Sequence, residues 1–251
     1  MLFIYMIAGL FSGSALRIII NQLPLSILNQ VDDIATLNER KKHLCENSVL
    51  IPVSIKAASK NLRQSIFAAR QNPSLEIINS LLYGTVFMLW PETEKAIPLC
   101  FLGSSMIVLA LIDYRYLLLP DAITQPALWA GILWNSSGSG FVTLSDAVWG
   151  TVAGYMILWI TNVLFFAFTG RRGLGQGDYK LLAMFGAWSG TANVTCVLTI
   201  APAIAFHFWL LNRPVNYTNL IPFGPSLVIA EAISIFVNHT DILGYGIEVF
   251  S

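Results

Sequence analysis

Apolar and polar residues alternate in long blocks along this chain rather than at a helical or strand period. Apolar runs predict membrane-spanning helices at Met1–Ile20, Leu75–Trp90, Ile97–Ile112, Ala122–Trp134, Ala147–Phe168, Leu181 to about Gly190, Val194–Leu211 and Ile221–Val237. Several are shorter than the ~20 residues a straight span needs; thinning of the bilayer or burial inside a bundle accommodates them. Most show no polar face, as expected of helices covered by lipid and by each other. The expected fold is an all-α, polytopic transmembrane bundle of about eight spans. One sizeable polar region, Val31 to Gln71, interrupts it and reads as a solvated loop, although Ile55 to Ala69 has some amphipathic character. The chain divides accordingly into residues 1–74, a span plus this loop, and 75–251, a transmembrane core. Met1–Ile20 has neither a preceding basic region nor a small-residue cleavage pattern, and reads as a retained span.

Composition agrees. Of 251 residues, 55% are hydrophobic and 11% charged, against about 25% charged in soluble domains. Net charge is zero, and no basic face is large enough for nucleic acid. Cys45, Cys100 and Cys196 are scattered, as are His43, His207 and His239, so neither a zinc site nor a disulfide framework is expected. The distribution of charge sets the orientation. Arg40, Lys41, Lys42, Lys56, Lys60, Arg63 and Arg70, with Arg115, Arg171, Arg172, Lys180 and Arg213, fall in loops on one side of an eight-span arrangement; Lys95 falls on the other. The positive-inside rule makes the richer side cytoplasmic.

The polar stretch Arg171-Arg172-Gly173-Leu174-Gly175-Gln176-Gly177-Asp178-Tyr179-Lys180 separates two apolar runs. Asp178 there reads either as a helix N-cap or as a functional carboxylate. Asp113 ends another apolar run, and an ionisable group at a span edge is a functional candidate by default. The predicted topology puts both on the cytoplasmic side. If they meet, two like charges cannot both ionise, so the pair holds one proton between them. The charged member then activates water and the protonated member donates to the carbonyl under attack, which is peptide hydrolysis with no cofactor. Gly175 and Gly177 permit close approach of an extended peptide, or simply a flexible loop. Helix capping is sufficient to explain Asp121 and Asp146.

Five ordered stretches resemble the bacterial type IV prepilin peptidase family, GxGD-type aspartyl proteases. They are Gly13-Ser14-Ala15-Leu16 with Leu23-Pro24; Pro73-Ser74-Leu75-Glu76; Leu111-Ile112-Asp113 with Leu118-Leu119-Pro120-Asp121; Gly175-Gln176-Gly177-Asp178-Tyr179-Lys180; and Ile221-Pro222-Phe223-Gly224-Pro225. The resemblance implies an inner-membrane endopeptidase with Asp113 and Asp178 as catalytic pair. Its substrates would be prepilins or pseudopilins, cut after a short basic leader at the cytoplasmic face. Gly175, Gly177 and Asp121 would be supporting motif residues. The resemblance also brings in N-methylation of the new amine by S-adenosylmethionine, with Glu76 at a position tied to that activity; Glu76 reads equally as a first-turn helix acid. The sequence departs from the family in lacking the two CxxC pairs of the first loop, which bind zinc in many members. Arg17 and Gln22 also stand where the family has asparagine and arginine. Two other classes remain open: an ion or solute transporter using the aspartates as coupling ligands, and a methyltransferase or assembly scaffold without proteolysis. Lipid is the expected surroundings, and the sequence sets no oligomeric state.

Overall fold

The computed structural model describes residues 2–17, 19–20, 74–91, 93–170, 173–211 and 222–242. The polar loop, with its seven basic residues, lies outside them, as do Arg171, Arg172, Arg213, Ile221 and Pro73. The described chain is helical throughout its elements: α1 (Leu2–Arg17), α2 (Ser74–Leu89), α3 (Thr93–Tyr116), α4 (Asp121–Ser136), α5 (Leu144–Thr169), α6 (Gln176–Leu211) and α7 (Gly224–Ile242). By length and composition, α3, α5 and α6 can each cross a membrane; α1, α2 and α7 are shorter apolar helices.

The two runs expected at Leu181–Gly190 and Val194–Leu211 join end to end as α6, which is broken at Gly190 (φ 81°, ψ −174°). A positive φ of this kind suits glycine, which has no Cβ to clash. The break frees backbone groups inside an apolar bundle, where each must find a partner. Asn135 Nδ2 donates to the carbonyls of Ala187 (2.8 Å) and Trp188 (3.2 Å). Asp146 Oδ1 accepts from the Thr191 N–H (3.2 Å) and from Thr191 Oγ1 (2.6 Å). Asp146 therefore does not cap its own helix as expected. Thr143 is the N-cap of α5, and Asp146 instead serves the half of α6 that restarts after the break.

The chain forms two compact units, Met1–Leu89 and Trp90–Ser251. In the first, α1 and α2 are in close contact. A Cβ on Gly9 would lie 2.7 Å from Ser80 Cα, and one on Gly13 would lie 2.7 Å from Glu76 Cα. This spacing of small residues lets membrane helices pack backbone to backbone. Asn79 Nδ2 donates across the seam to the Gly9 carbonyl (3.1 Å) and to Ser12 Oγ (2.6 Å).

In the second unit the first half of α6 is the centre. Leu181, Leu182, Ala183, Met184, Phe185, Ala187 and Trp188 are all 2% exposed or less, so this half is enclosed on every side. Gly150 and Gly154 of α5 pack on it: a Cβ on Gly186 would lie 2.2 Å from the Gly150 carbonyl oxygen, and one on Gly154 would lie 2.7 Å from that of Leu182. Trp188 Nε1 donates to the Ala127 carbonyl of α4 (2.9 Å). Elsewhere on α5, Trp149, Trp159, Phe166 and Phe168 are exposed, a surface suited to hydrocarbon rather than water.

Candidate active site

α3 ends, and α4, α6 and α7 begin, at the same end of the second unit. Asp113 lies in the last turn of α3 and is 6% exposed. Its Oδ2 accepts the Gly224 N–H at 2.9 Å, from the first residue of α7. A helix start offers such unpaired N–H donors and favours negative charge. The contact requires glycine: a Cβ at 224 would lie 2.6 Å from that oxygen. Pro225 then sits in the first turn, where its missing N–H costs nothing.

Asp178 is 7% exposed and belongs to the first turn of α6. It is not the N-cap. As the third helical residue it reaches back, so that the Gly175 N–H donates to its Oδ2 at 3.1 Å, the carboxylate half of a capping box. The cap reading therefore gave the right terminus and the wrong position. The two aspartates are thus held alike. Each gives Oδ2 to a backbone N–H at a helix start, and among the described residues neither Oδ1 carries a hydrogen bond and neither carboxyl has a cationic partner.

The glycines of the motif serve packing. A Cβ on Gly177 would lie 2.6 Å from Leu119 Cβ, so glycine here lets the start of α6 close onto the segment following Asp113. Within that segment Leu117 has φ 51°, a costly conformation for a large side chain, and its N–H donates to the Asp113 carbonyl at 2.8 Å. Gly175 supplies the N–H to Asp178. Leu174 and Gly173 donate their N–H groups to Asn162 Oδ1 of α5, at 3.1 and 3.0 Å.

Asp121 makes no capping bond. Pro120 is the N-cap of α4, without a side-chain bond, and both oxygens of Asp121 accept from Lys180 Nζ at 2.7 Å. Glu76 belongs to the first unit, where it pairs with Arg17. Its backbone presses on Gly13 and its carboxylate engages a guanidinium. Among the described residues, no group of three or more His, Cys, Asp or Glu is placed to hold a metal ion; His43 and Cys45 lie outside them.

Two residues of this unit were not singled out from sequence. Gly224 was visible only as part of the Ile221–Pro225 stretch. Glu231, fully buried on α7, was passed over inside an apolar run, although a lone ionisable residue within a span is itself a signal.

Residues 100–210 match the type IV leader peptidase family, a stretch containing both aspartates. A prepilin leader peptidase/N-methyltransferase of Aeromonas salmonicida is 38% identical over 175 residues, 68% of this chain and 60% of that protein. One from Pectobacterium carotovorum is 35% identical over 187 residues, 73% of this chain and 66% of that protein. A Pseudomonas putida protein of the same name is 31% identical over 272 residues, 95% of this chain and 93% of its own length. Several of the matched relatives, the Aeromonas one included, are thus spanned over only about 60% of their length. No solved structure matches the chain. With a relative 31% identical over nearly its whole length, and residues 100–210, which carry both aspartates, matched by the family profile, the chain belongs to the type IV leader peptidase family.

Proposed function

We propose that this protein is a multi-pass aspartyl endopeptidase of the bacterial inner membrane. It removes the basic leader from type IV prepilins or related pseudopilins at the cytoplasmic face, with Asp113 and Asp178 as its catalytic pair. The observation that carries this reading is the matched suspension of the two carboxyls. Each has one oxygen fixed by a backbone N–H and, among the described residues, the other without a hydrogen bond, at one end of one helical unit.

The chemistry follows from that arrangement. The pair shares a proton. The ionised carboxyl takes a proton from water as the water oxygen attacks the scissile carbonyl carbon. The protonated carboxyl donates to the carbonyl oxygen as it gains charge. Collapse of the tetrahedral species breaks the C–N bond, and the amine leaves with a proton returned from the pair. Gly224 and Gly175 keep each carboxyl oriented without adding a side chain to the space a peptide would occupy. The Asp121–Lys180 pair and the glycines Gly175 and Gly177 support this end of the bundle. The excess of Lys and Arg in the loops that the sequence assigns to the side of Asp113 and Asp178 supports a cytoplasmic orientation.

The names of the relatives also carry N-methylation. In this chain Glu76 is paired with Arg17, and no step is routed through S-adenosylmethionine. The test is coexpression with a prepilin and detection of the shortened product by gel shift. Wild-type protein is expected to process it and neither Asp113→Asn nor Asp178→Asn to do so. Full processing by either variant would refute the assigned roles.

A further inference from the structure

Glu231 is a fully buried carboxylate that the proposed chemistry does not use. Its Oε1 accepts from Ser189 Oγ at 2.5 Å and its Oε2 accepts from Asn193 Nδ2 at 2.9 Å. Asn193 Oδ1 in turn accepts from Ser234 Oγ of α7. Ser189 and Asn193 lie on either side of Gly190, the residue at which α6 stops being helical. One carboxylate on α7 thus grips both halves of the broken helix.

The same two helices hold the aspartates. Gly224, at the start of α7, donates to Asp113, and Glu231 comes seven residues later. Seven residues are close to two turns, so the two positions share a face of α7. Asp178 and Ser189 are eleven residues apart on α6, close to three turns, and they too share a face. The start of the α6–α7 seam carries the aspartates, and Glu231 lies about two turns further along it. An apolar side chain would pack α7 on α6 without the cost of burying a carboxylate. What it would not do is fix α7 along and around α6, because apolar contacts are non-directional.

We infer that Glu231 is a positioning residue for the aspartate pair, setting the register of α7 on α6 and through it the separation of Asp113 from Asp178. The inference rests on the proposed role of the two aspartates in chemistry, but its structural half stands independently of that role.

Two readouts on the full-length protein in detergent test it. The first needs no activity. Asp113→Cys and Asp178→Cys are combined in a background with the native cysteines changed to serine. Their joining by a short bifunctional thiol reagent is then timed with and without Glu231→Ala. Register loss predicts at least about a tenfold slower cross-link, as near-contact geometry is lost; an unchanged rate overturns the inference. The second is prepilin cleavage. Glu231→Ala is expected to lower kcat about 10²-fold, the effect of an ångström-scale misplacement, with KM within about twofold. The interval between the acid and alkaline limbs of the pH profile should narrow, because carboxyls held further apart titrate in less separated steps. Among the described residues, the other titratable or charged groups carried at this end include Tyr114, Arg115, Tyr116, Tyr155 and Tyr179, with Lys180 and Asp121 paired to each other; the substitution leaves them all in place. Glu231→Gln keeps an oxygen for Asn193 and a donor for Ser189, and should recover most of kcat. A folded Glu231→Ala protein with wild-type kcat and pH limbs overturns the inference. If Glu231→Ala does not fold, Ser189→Ala removes one of the two grips and is read in the same two assays. Failure of the function reading is seen separately, as cleavage that survives Asp113→Asn.

Discussion

The two units use acidic side chains in opposite ways. In α1–α2, Glu76 gives its carboxylate to Arg17, beside a seam where Gly9 and Gly13 bring the backbones together. In α3–α7 the seam is built alike, from Gly150, Gly154 and Gly186, but among the described residues the buried carboxyls Asp113, Asp178 and Glu231 bond to neutral donors. Packing of small residues is thus common to both units and does not mark function. The nature of the partner does. An oxygen committed to a guanidinium is a structural tie. A carboxyl held on one edge by a backbone N–H is oriented, and its other oxygen can exchange a proton. Asp121, paired with Lys180 at the same end as the aspartates, is held in the manner of Glu76 and is not assigned to the chemistry.

The sharpest way to break this contrast is to neutralise one carboxylate of each kind. Asp113→Asn or Asp178→Asn should lower leader cleavage at least about 10²–10⁴-fold, the range for a lost acid–base group. Glu76→Gln should leave it within severalfold. Equal losses in a cleavage assay would abolish the distinction. Next in size is Gly224→Ala, whose Cβ would crowd Asp113 Oδ2. Cleavage should fall about 10²-fold through misplacement, while the unfolding temperature changes little. A smaller effect, on stability alone, is expected where the shared packing device is spoiled. Gly150→Leu overpacks the α5–α6 seam and should cost about 1–3 kcal/mol, read as earlier thermal unfolding in detergent. The smallest belongs to the exposed Lys180–Asp121 pair. Lys180→Met should cost no more than about 1 kcal/mol, and a much larger loss of stability would mean the pair is more than a surface tie.

The apolar blocks alone determined that the chain is helical, because a backbone in hydrocarbon must satisfy its own hydrogen bonds. Their edges located α2 through α5 closely, and the ends of two runs put Asp113 and Asp178 where helices stop and start. The ordered motifs then pointed to the right family. Other features were decided only by tertiary structure. The sequence places a gap between a span ending near Gly190 and one starting at Val194, yet the two are one helix, α6, broken at Gly190 and supported by Asn135 and Asp146 from two other helices. Asp121 and Asp146 read as caps, since helix-start chemistry is local, but each found a partner on α6 instead. Gly224 reads as part of a breaker, while its N–H holds a carboxylate 111 residues earlier in the chain. Periodicity and propensity act over a turn or two of helix. Which N–H reaches which oxygen across a bundle depends on how helices cross, and that is fixed only when they pack.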